Sequence, residues 1–236
     1  MPKAIIFDID GTLLDSVDLH AQAWREALRH FGHDVPFDQI RSQIGKGGDQ
    51  LLPVFLTKRE LDSMQKEIEE YRSKLFKDKY LPKVKPFPGV RALFEEIGKN
   101  GQKIALASSA RGDELEHYER IAGIEDLVQV ETSSADAKRS KPHPDIFEAA
   151  LDRLGEGIER EEVMVVGDSP HDAEAAKRAQ LAVVGVLCGG FPEQQLRDAG
   201  CIAIYGGPED LLNHYRESPI APERARQAGA GRNLSR

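Results

Sequence analysis

Cysteine is nearly absent: Cys188 and Cys201 are the only two in 236 residues. Their spacing matches no metal-ligand pattern, so neither a disulfide framework nor a thiolate metal site is expected. Two reduced thiols and a reducing, cytoplasmic setting are expected instead. Long apolar runs are missing too. None approaches the ~20 residues that span a bilayer, so no membrane partner is expected. A strand-like run begins straight after Met1-Pro2-Lys3, so no leader peptide is expected. There is no excess of positive charge: 32 Lys and Arg against 40 Asp and Glu give a formal net charge of -8. Such a balance disfavours nonspecific attraction to nucleic acid or anionic lipid, so no nucleic-acid partner is expected. An anionic substrate would need a locally positive pocket. The chain contains no internal repeat and no extended low-complexity segment. Its length suits one large domain or two smaller ones.

Against those absences stands Asp8-Ile9-Asp10-Gly11-Thr12, directly after the apolar run Ala4–Phe7. Two acids at i and i+2 after a strand point the same way and converge on one place. Carboxyl ends of strands are where open α/β sheets hold their ligands. Two carboxylates that close repel each other, and one would take up a proton. A hard divalent cation removes the conflict, and oxygen ligands suit Mg²⁺. The plainer alternative is an acidic turn after a strand. Three further segments end strand-like runs: Lys103–Ala107 leads into Ser108-Ser109, Lys141-Pro142-His143-Pro144 precedes a helical pattern, and Val163–Gly167 leads into Asp168 and Asp172. Hydroxyls donate to phosphate oxygens, and a lysine balances their charge.

Strand-like runs at 4–7, 103–107, 127–130, 163–166, 182–187 and 201–205 alternate with helical patterns at 90–97, 113–121, 145–154 and 172–179. That alternation predicts an α/β fold with a parallel sheet covered on both faces. Residues 16–83 break the rhythm with amphipathic stretches at 17–31, 37–44, 48–55 and 58–79, the last carrying an apolar stripe of Leu61, Met64, Ile68, Tyr71 and Leu75. We read 1–15 and 84–217 as the catalytic core and 16–83 as an inserted helical cap, crossing near Leu14–Ser16 and Leu81–Lys85. The stretch 218–236, rich in Ala, Gly, Arg and Pro, reads as a flexible tail.

The order Asp pair, Ser, Lys, Asp pair resembles the four motifs of the haloacid dehalogenase superfamily, from Lys3 to about Leu212. The resemblance implies a Rossmann-like core with a small helical cap, as in phosphoglycolate phosphatases and β-phosphoglucomutases. It implies Asp8 as nucleophile, forming an aspartyl-phosphate. Asp10 would be the general acid/base, with its backbone carbonyl on the metal. Thr12 would restrain that acid or simply cap the loop. Ser108, beside the amide of Ser109, would bind the phosphoryl group, or else cap the next turn. Lys141 would balance the charge on the phosphoryl group and Asp8. Asp8, Asp10 and Asp168 would hold Mg²⁺, with Asp172 hydrogen-bonding behind them or favouring the next helix N-terminus.

In the cap, His20 and Trp24 share a helix face at i and i+4. His20 is either a substrate-site histidine or a packing one. Lys46, in Gly45-Lys46-Gly47-Gly48-Asp49, either contacts substrate or sits in a plain turn. The function expected is a Mg²⁺-dependent phosphatase of a small phosphorylated metabolite, such as a sugar phosphate or phosphoglycolate, as a monomer or weak homodimer. A β-phosphoglucomutase-like phosphomutase is the alternative; the 45–49 loop lacks the arginine that would grip a second phosphate, although Arg41 is near. A 2-haloacid dehalogenase lacks the second acid that Asp10 supplies. A noncatalytic binding module would have no use for all four motifs.

Overall fold

A computed structural model describes residues 1–110, 112–223 and 225. In chain order the elements are β1 (Ala4–Phe7), β2 (Leu14–Asp15), α1 (Val17–His30), α2 (Phe37–Arg41), α3 (Gly48–Leu51), α4 (Lys58–Leu75) and β3 (Lys85–Pro86). They continue with α5 (Val90–Lys99), β4 (Lys103–Ala107), α6 (Gly112–Ala122), β5 (Val130–Thr132), α7 (Asp145–Leu154) and β6 (Val163–Gly167). The last are α8 (Pro170–Arg178), β7 (Ala182–Val186), α9 (Glu193–Ala199), β8 (Ala203–Tyr205) and α10 (Pro208–Asn213).

Six strands form one parallel sheet in the order β5-β4-β1-β6-β7-β8. The chain leaves β1 in one direction for β4 and β5, then returns to its other side for β6, β7 and β8. The switch point of the sheet therefore lies at β1, where a crevice opens at the strand ends. Register aligns those ends: Phe7 pairs with Leu106 of β4 and Val166 of β6. Asp8 and Asp168 thus emerge side by side.

Period-2 alternation divides β1 between two cores. Ile5 and Phe7 join Leu93 and Phe94 of α5, Tyr118 of α6 and Leu211 of α10 on one face. Ala4 and Ile6 join Phe147 of α7, Ala173 of α8 and Leu196 of α9 on the other. A third apolar cluster belongs to the insertion, where Ala21, Trp24 and Leu28 of α1 meet Ile40, Leu51 and Ile68. The insertion is tied to the sheet by a two-stranded antiparallel ribbon, Leu14 opposite Pro86 and Asp15 opposite Lys85.

Five expectations shift. The strand read at 127–130 lies at Val130–Thr132, and that read at 201–205 at Ala203–Tyr205. The helix read over 58–79 ends as α-helix at Leu75, and a π turn carries Phe76 and Tyr80 into the sheet core. In the α4 stripe only Ile68 is fully buried; Tyr71 is exposed and stacks on His30. The tail reading fails at Ser218, Ile220, Ala221 and Ala225, which are buried. Gln102 fastens that segment by donating to the Ile220 carbonyl at 2.7 Å. Residues 224 and 226–236 of the same reading lie outside the described residues.

Candidate active site

Burial of charge defines the site. Asp8, at the end of β1, is 5 % exposed, and Asp168 and Asp172 are 1 % exposed. Lys141, in the loop ahead of α7, is fully buried among them. Its Nζ pairs with Asp8, lies 2.8 Å from Asp172 Oδ1 and donates to the Ala107 carbonyl at 3.2 Å. Asp172 divides its oxygens: Oδ2 accepts from the Ser169 amide and hydroxyl in a capping box that starts α8, and Oδ1 faces Lys141. One Asp172 side chain thus both starts α8 and pairs with Lys141.

Thr12 Oγ1 lies 3.1 Å from both Asp8 Oδ2 and Asp168 Oδ1, so one hydroxyl bridges two carboxylates. Its partners are these acids, while Asp10 is held elsewhere. Carboxylate oxygens of Asp8, Asp168 and Asp172 come within 4.8 Å of one another. One lysine against three acids leaves negative charge uncompensated. Burial, then Asp172, pushes the Asp8 carboxyl up to about 7 despite Lys141. Burial, Asp172 and Asp8 likewise raise Asp168 well above the usual carboxylate range. Lys141, which burial alone would discharge, is held charged by Asp172 and Asp8. An all-oxygen donor set with excess negative charge fits a hard divalent cation.

The carboxylate of Asp10 is directed away from this cluster. It accepts from Ser16 Oγ at 2.6 Å and lies 2.8 Å from His20 Nε2. Ser16 thereby spends its hydroxyl on Asp10 rather than on capping α1. Burial alone would raise Asp10, but His20 and then Ser16 outweigh it and hold the carboxyl below its usual value. The third acid beside Asp8 and Asp168 is therefore Asp172, not the Asp10 side chain.

Above the strand ends lies a cavity of about 80 Å³ between sheet and insertion. Asp8, Asp10, His20, Lys46 and Ser109 all line it. Ser108 does not: it is 1 % exposed, and its Oγ accepts from the Ala110 amide at 3.0 Å, which shapes the turn after β4. Lys46 Nζ donates to Gln43 Oε1 at 2.6 Å and is half-buried. Arg41 is not in the cavity lining; it bonds Asp18 at 2.6 Å and the Gly189 carbonyl at 2.9 Å, joining α2 to the loop after β7.

Two cavity residues escaped sequence reasoning. Arg72 of α4 lies over the rings of Trp24 and Phe76, at 5.1 and 5.0 Å, and touches His20 Nδ1. Glu114 of α6 is 3 % exposed and accepts from Ser73 at 3.3 Å. The one signal was the placing of Arg72 four residues after Ile68, on the inward side of α4.

Residues 5–186 match the model of the haloacid dehalogenase-like hydrolase family. A phosphorylated carbohydrates phosphatase of Thermotoga maritima is 30% identical over 221 residues, spanning 91% of this chain and 99% of that protein. A phosphoglycolate phosphatase of Nitrosospira multiformis is 28% identical and spans 86% and 90%. The crystal structure of a hydrolase from Pseudomonas syringae superposes with a TM-score of 0.81 at 29% identity, covering 91% of this chain and 98% of that one.

Proposed function

The chain belongs to the haloacid dehalogenase-like hydrolase family, and from that premise we propose a Mg²⁺-dependent phosphatase that acts on a small phosphorylated metabolite through phospho-Asp8. The observation that carries this reading is the buried Asp8–Lys141–Asp172–Asp168 cluster, short of positive charge, beneath a cavity of about 80 Å³. Asp8 and Ser109 line that space, where a phosphoryl group would meet the nucleophile and its donors.

Asp8, Asp168 and the backbone carbonyl of Asp10 would hold the cation, with Asp172 behind them. When bound, it neutralises the cluster and draws charge from the phosphoryl oxygens. Asp8 attacks phosphorus; the new Asp8–phosphorus bond forms as the bond to the leaving oxygen breaks. Asp10 hands the leaving oxygen the proton it took from water in the preceding turnover, and the His20 N–H then holds it as the carboxylate. Water then attacks phosphorus, Asp10 accepts its proton, and Asp8 is released with inorganic phosphate. Lys141 offsets the charge on Asp8 and on the three transferring oxygens. The amide and hydroxyl of Ser109 serve as phosphoryl donors, with Ser108 fixing their turn. Residues 16–83 act as the cap over this site, carrying His20 and Lys46 to it.

Phosphate release from p-nitrophenyl phosphate and from a panel of phosphorylated metabolites, with Mg²⁺ or with a chelator, tests the reading. Turnover should require Mg²⁺ and vanish in Asp8→Asn. Turnover at wild-type rate in that variant, or unaffected by chelation, would overturn it. A phosphomutase is the second reading, and one observation favours it: an arginine of the cap, Arg72, reaches the cavity, although the 45–49 loop has none.

A further inference from the structure

Two glycines bracket one oxygen of Asp168. A Cβ on Gly11 would fall 2.4 Å from Asp168 Oδ2, and one on Gly189 would fall 1.8 Å from it. Thr12 donates to the other oxygen, Oδ1, at 3.1 Å. The acid that follows β6 is therefore seated by backbone on two sides. One side is the loop after β1, and the other is the turn 188–190 after β7.

That turn is tied both inward and outward. Inward, Cys188 Sγ donates to the Gly11 carbonyl at 3.2 Å, which joins the two glycine walls. Outward, Arg41 of α2 donates through Nη2 to the Gly189 carbonyl at 2.9 Å, with Nη1 3.5 Å from the Gly190 carbonyl. Gly190 has φ +80°, and a Cβ there would fall 2.4 Å from Arg41 Nη2. The guanidinium thus lies directly on the backbone of the turn. Asp18 of α1 aims it by accepting from Nε at 2.6 Å. A planar fork can serve Asp18 along one edge and the carbonyls along the other, which a lysine cannot do. The same stretch of the insertion also meets the loop after β6, where His171 Nε2 lies 3.2 Å from the Ser42 carbonyl.

We propose that Arg41 is a positioning residue for the metal site: by holding the Gly189 carbonyl it keeps the 188–190 turn against Asp168, and so couples the seating of the insertion to metal occupancy. This rests on the reading of Asp168 as a metal ligand. Coupling between two sites is reciprocal, so the metal must in turn favour the seated insertion. The sign of the effect separates positioning from charge. Arg41 is a cation across Gly189 from a cation site, and Coulomb repulsion alone would make its removal tighten Mg²⁺ binding. Loss of a ligand's support loosens it.

Calorimetric titration of the full chain with Mg²⁺ reads the affinity without turnover. Arg41→Gln, at a side chain 26 % exposed, should raise the Mg²⁺ Kd ~10-fold. Arg41→Lys, which keeps the charge and loses the fork, should fall between that variant and the wild type. Arg59→Gln removes the same charge from an exposed position of the same insertion and should leave the Kd unchanged. Amide hydrogen exchange over 37–44 should slow when Mg²⁺ is added to the wild type, and should not slow in Arg41→Gln. An arginine that merely holds the fold together would not link that exchange to the metal. If Arg41→Gln does not fold, the Arg41→Lys titration decides in the same way. A Kd at or below the wild-type value in the Arg41 variants, or wild-type exchange over 37–44 indifferent to Mg²⁺, overturns the positioning role and leaves Asp168 as a ligand. A wild-type chain that takes up no Mg²⁺ overturns that reading as well.

Discussion

His20 Nε2 lies 2.8 Å from Asp10 Oδ1, so a side chain of α1 completes the acid that follows β1. The other ring nitrogen, Nδ1, is met by the Arg72 guanidinium. Arginine only donates, which places the lone pair on Nδ1 and the proton on Nε2, aimed at Asp10. That proton is one reason the Asp10 carboxyl is held down.

Removing this donor should raise the proton affinity of Asp10. A hydrogen bond to a charged group is worth ~1.5–3 kcal/mol, or about one to two pH units. His20→Ala should therefore move the limb of the kcat–pH profile that reports Asp10 to higher pH, with a lower maximum. An unmoved limb separates His20 from the acid/base work.

The chemistry along the strand ends was legible because it rests on short-range rules. Asp8 follows a buried strand, and Asp168 follows another that the register sets beside it, whereas the expected convergence of Asp10 with Asp8 fails because Ser16 and His20 draw its carboxylate away. What joins the insertion to the site obeys no such rule. Arg72 reaches His20 across 52 positions, and Glu114 meets Ser73 across 41. Only the packing of α1, α4 and α6 brings them together. A stripe of apolar letters placed Tyr71 inside, yet the cavity needed its neighbour Arg72. The segment after Ser218 was misread for a different reason. Small side chains such as Ala221 and Ala225 bury little area each, so composition understates a segment that fits a preformed groove.

Metal and pH should act together on stability. Folding raises the Asp8 carboxyl to about 7 from an unfolded value of 3.8, and Asp168 moves the same way. Between those limits the folded chain binds more protons than the unfolded one, so metal-free stability falls as pH rises from about 4 towards 7. Thermal melts in chelator should show that decline, and saturating Mg²⁺ should flatten it by binding only the folded state. Asp8→Asn removes one of the repelling charges and should lose less stability than the wild type across this range. A metal-free melting temperature that climbs from pH 4 to pH 7 would contradict the charge account of the cluster.

Gly189 gives a test of the metal site that leaves every carboxylate in place. A Cβ there would fall 1.8 Å from Asp168 Oδ2, so the acid rests directly on backbone. Gly189→Ala must displace Asp168, and misplaced ligand supports cost ~10–100-fold in metal affinity. The Mg²⁺ activation curve should shift to higher concentration by at least tenfold. Gly98→Ala on α5, where a Cβ meets nothing within 4 Å, should leave that curve unchanged and stabilise the helix slightly. Equal activation curves for both variants would remove Asp168 from the metal.

Hydrolase and mutase differ in what meets phospho-Asp8. A mutase must hold a bisphosphate and exclude water, whereas a hydrolase lets water in with Asp10 ready as base. Glu114 on the cavity wall disfavours a second phosphate there, and Arg72 is engaged by His20. Phosphate release should therefore outpace isomerisation at least tenfold when β-glucose 1-phosphate is supplied with catalytic glucose 1,6-bisphosphate and Mg²⁺, followed by ³¹P NMR. Arg72→Ala should lower turnover without creating isomerase activity, since His20 then loses the contact that fixes its proton. Rapid accumulation of glucose 6-phosphate with little free phosphate would reverse the assignment and make Arg72 the phosphate grip that the glycine loop lacks.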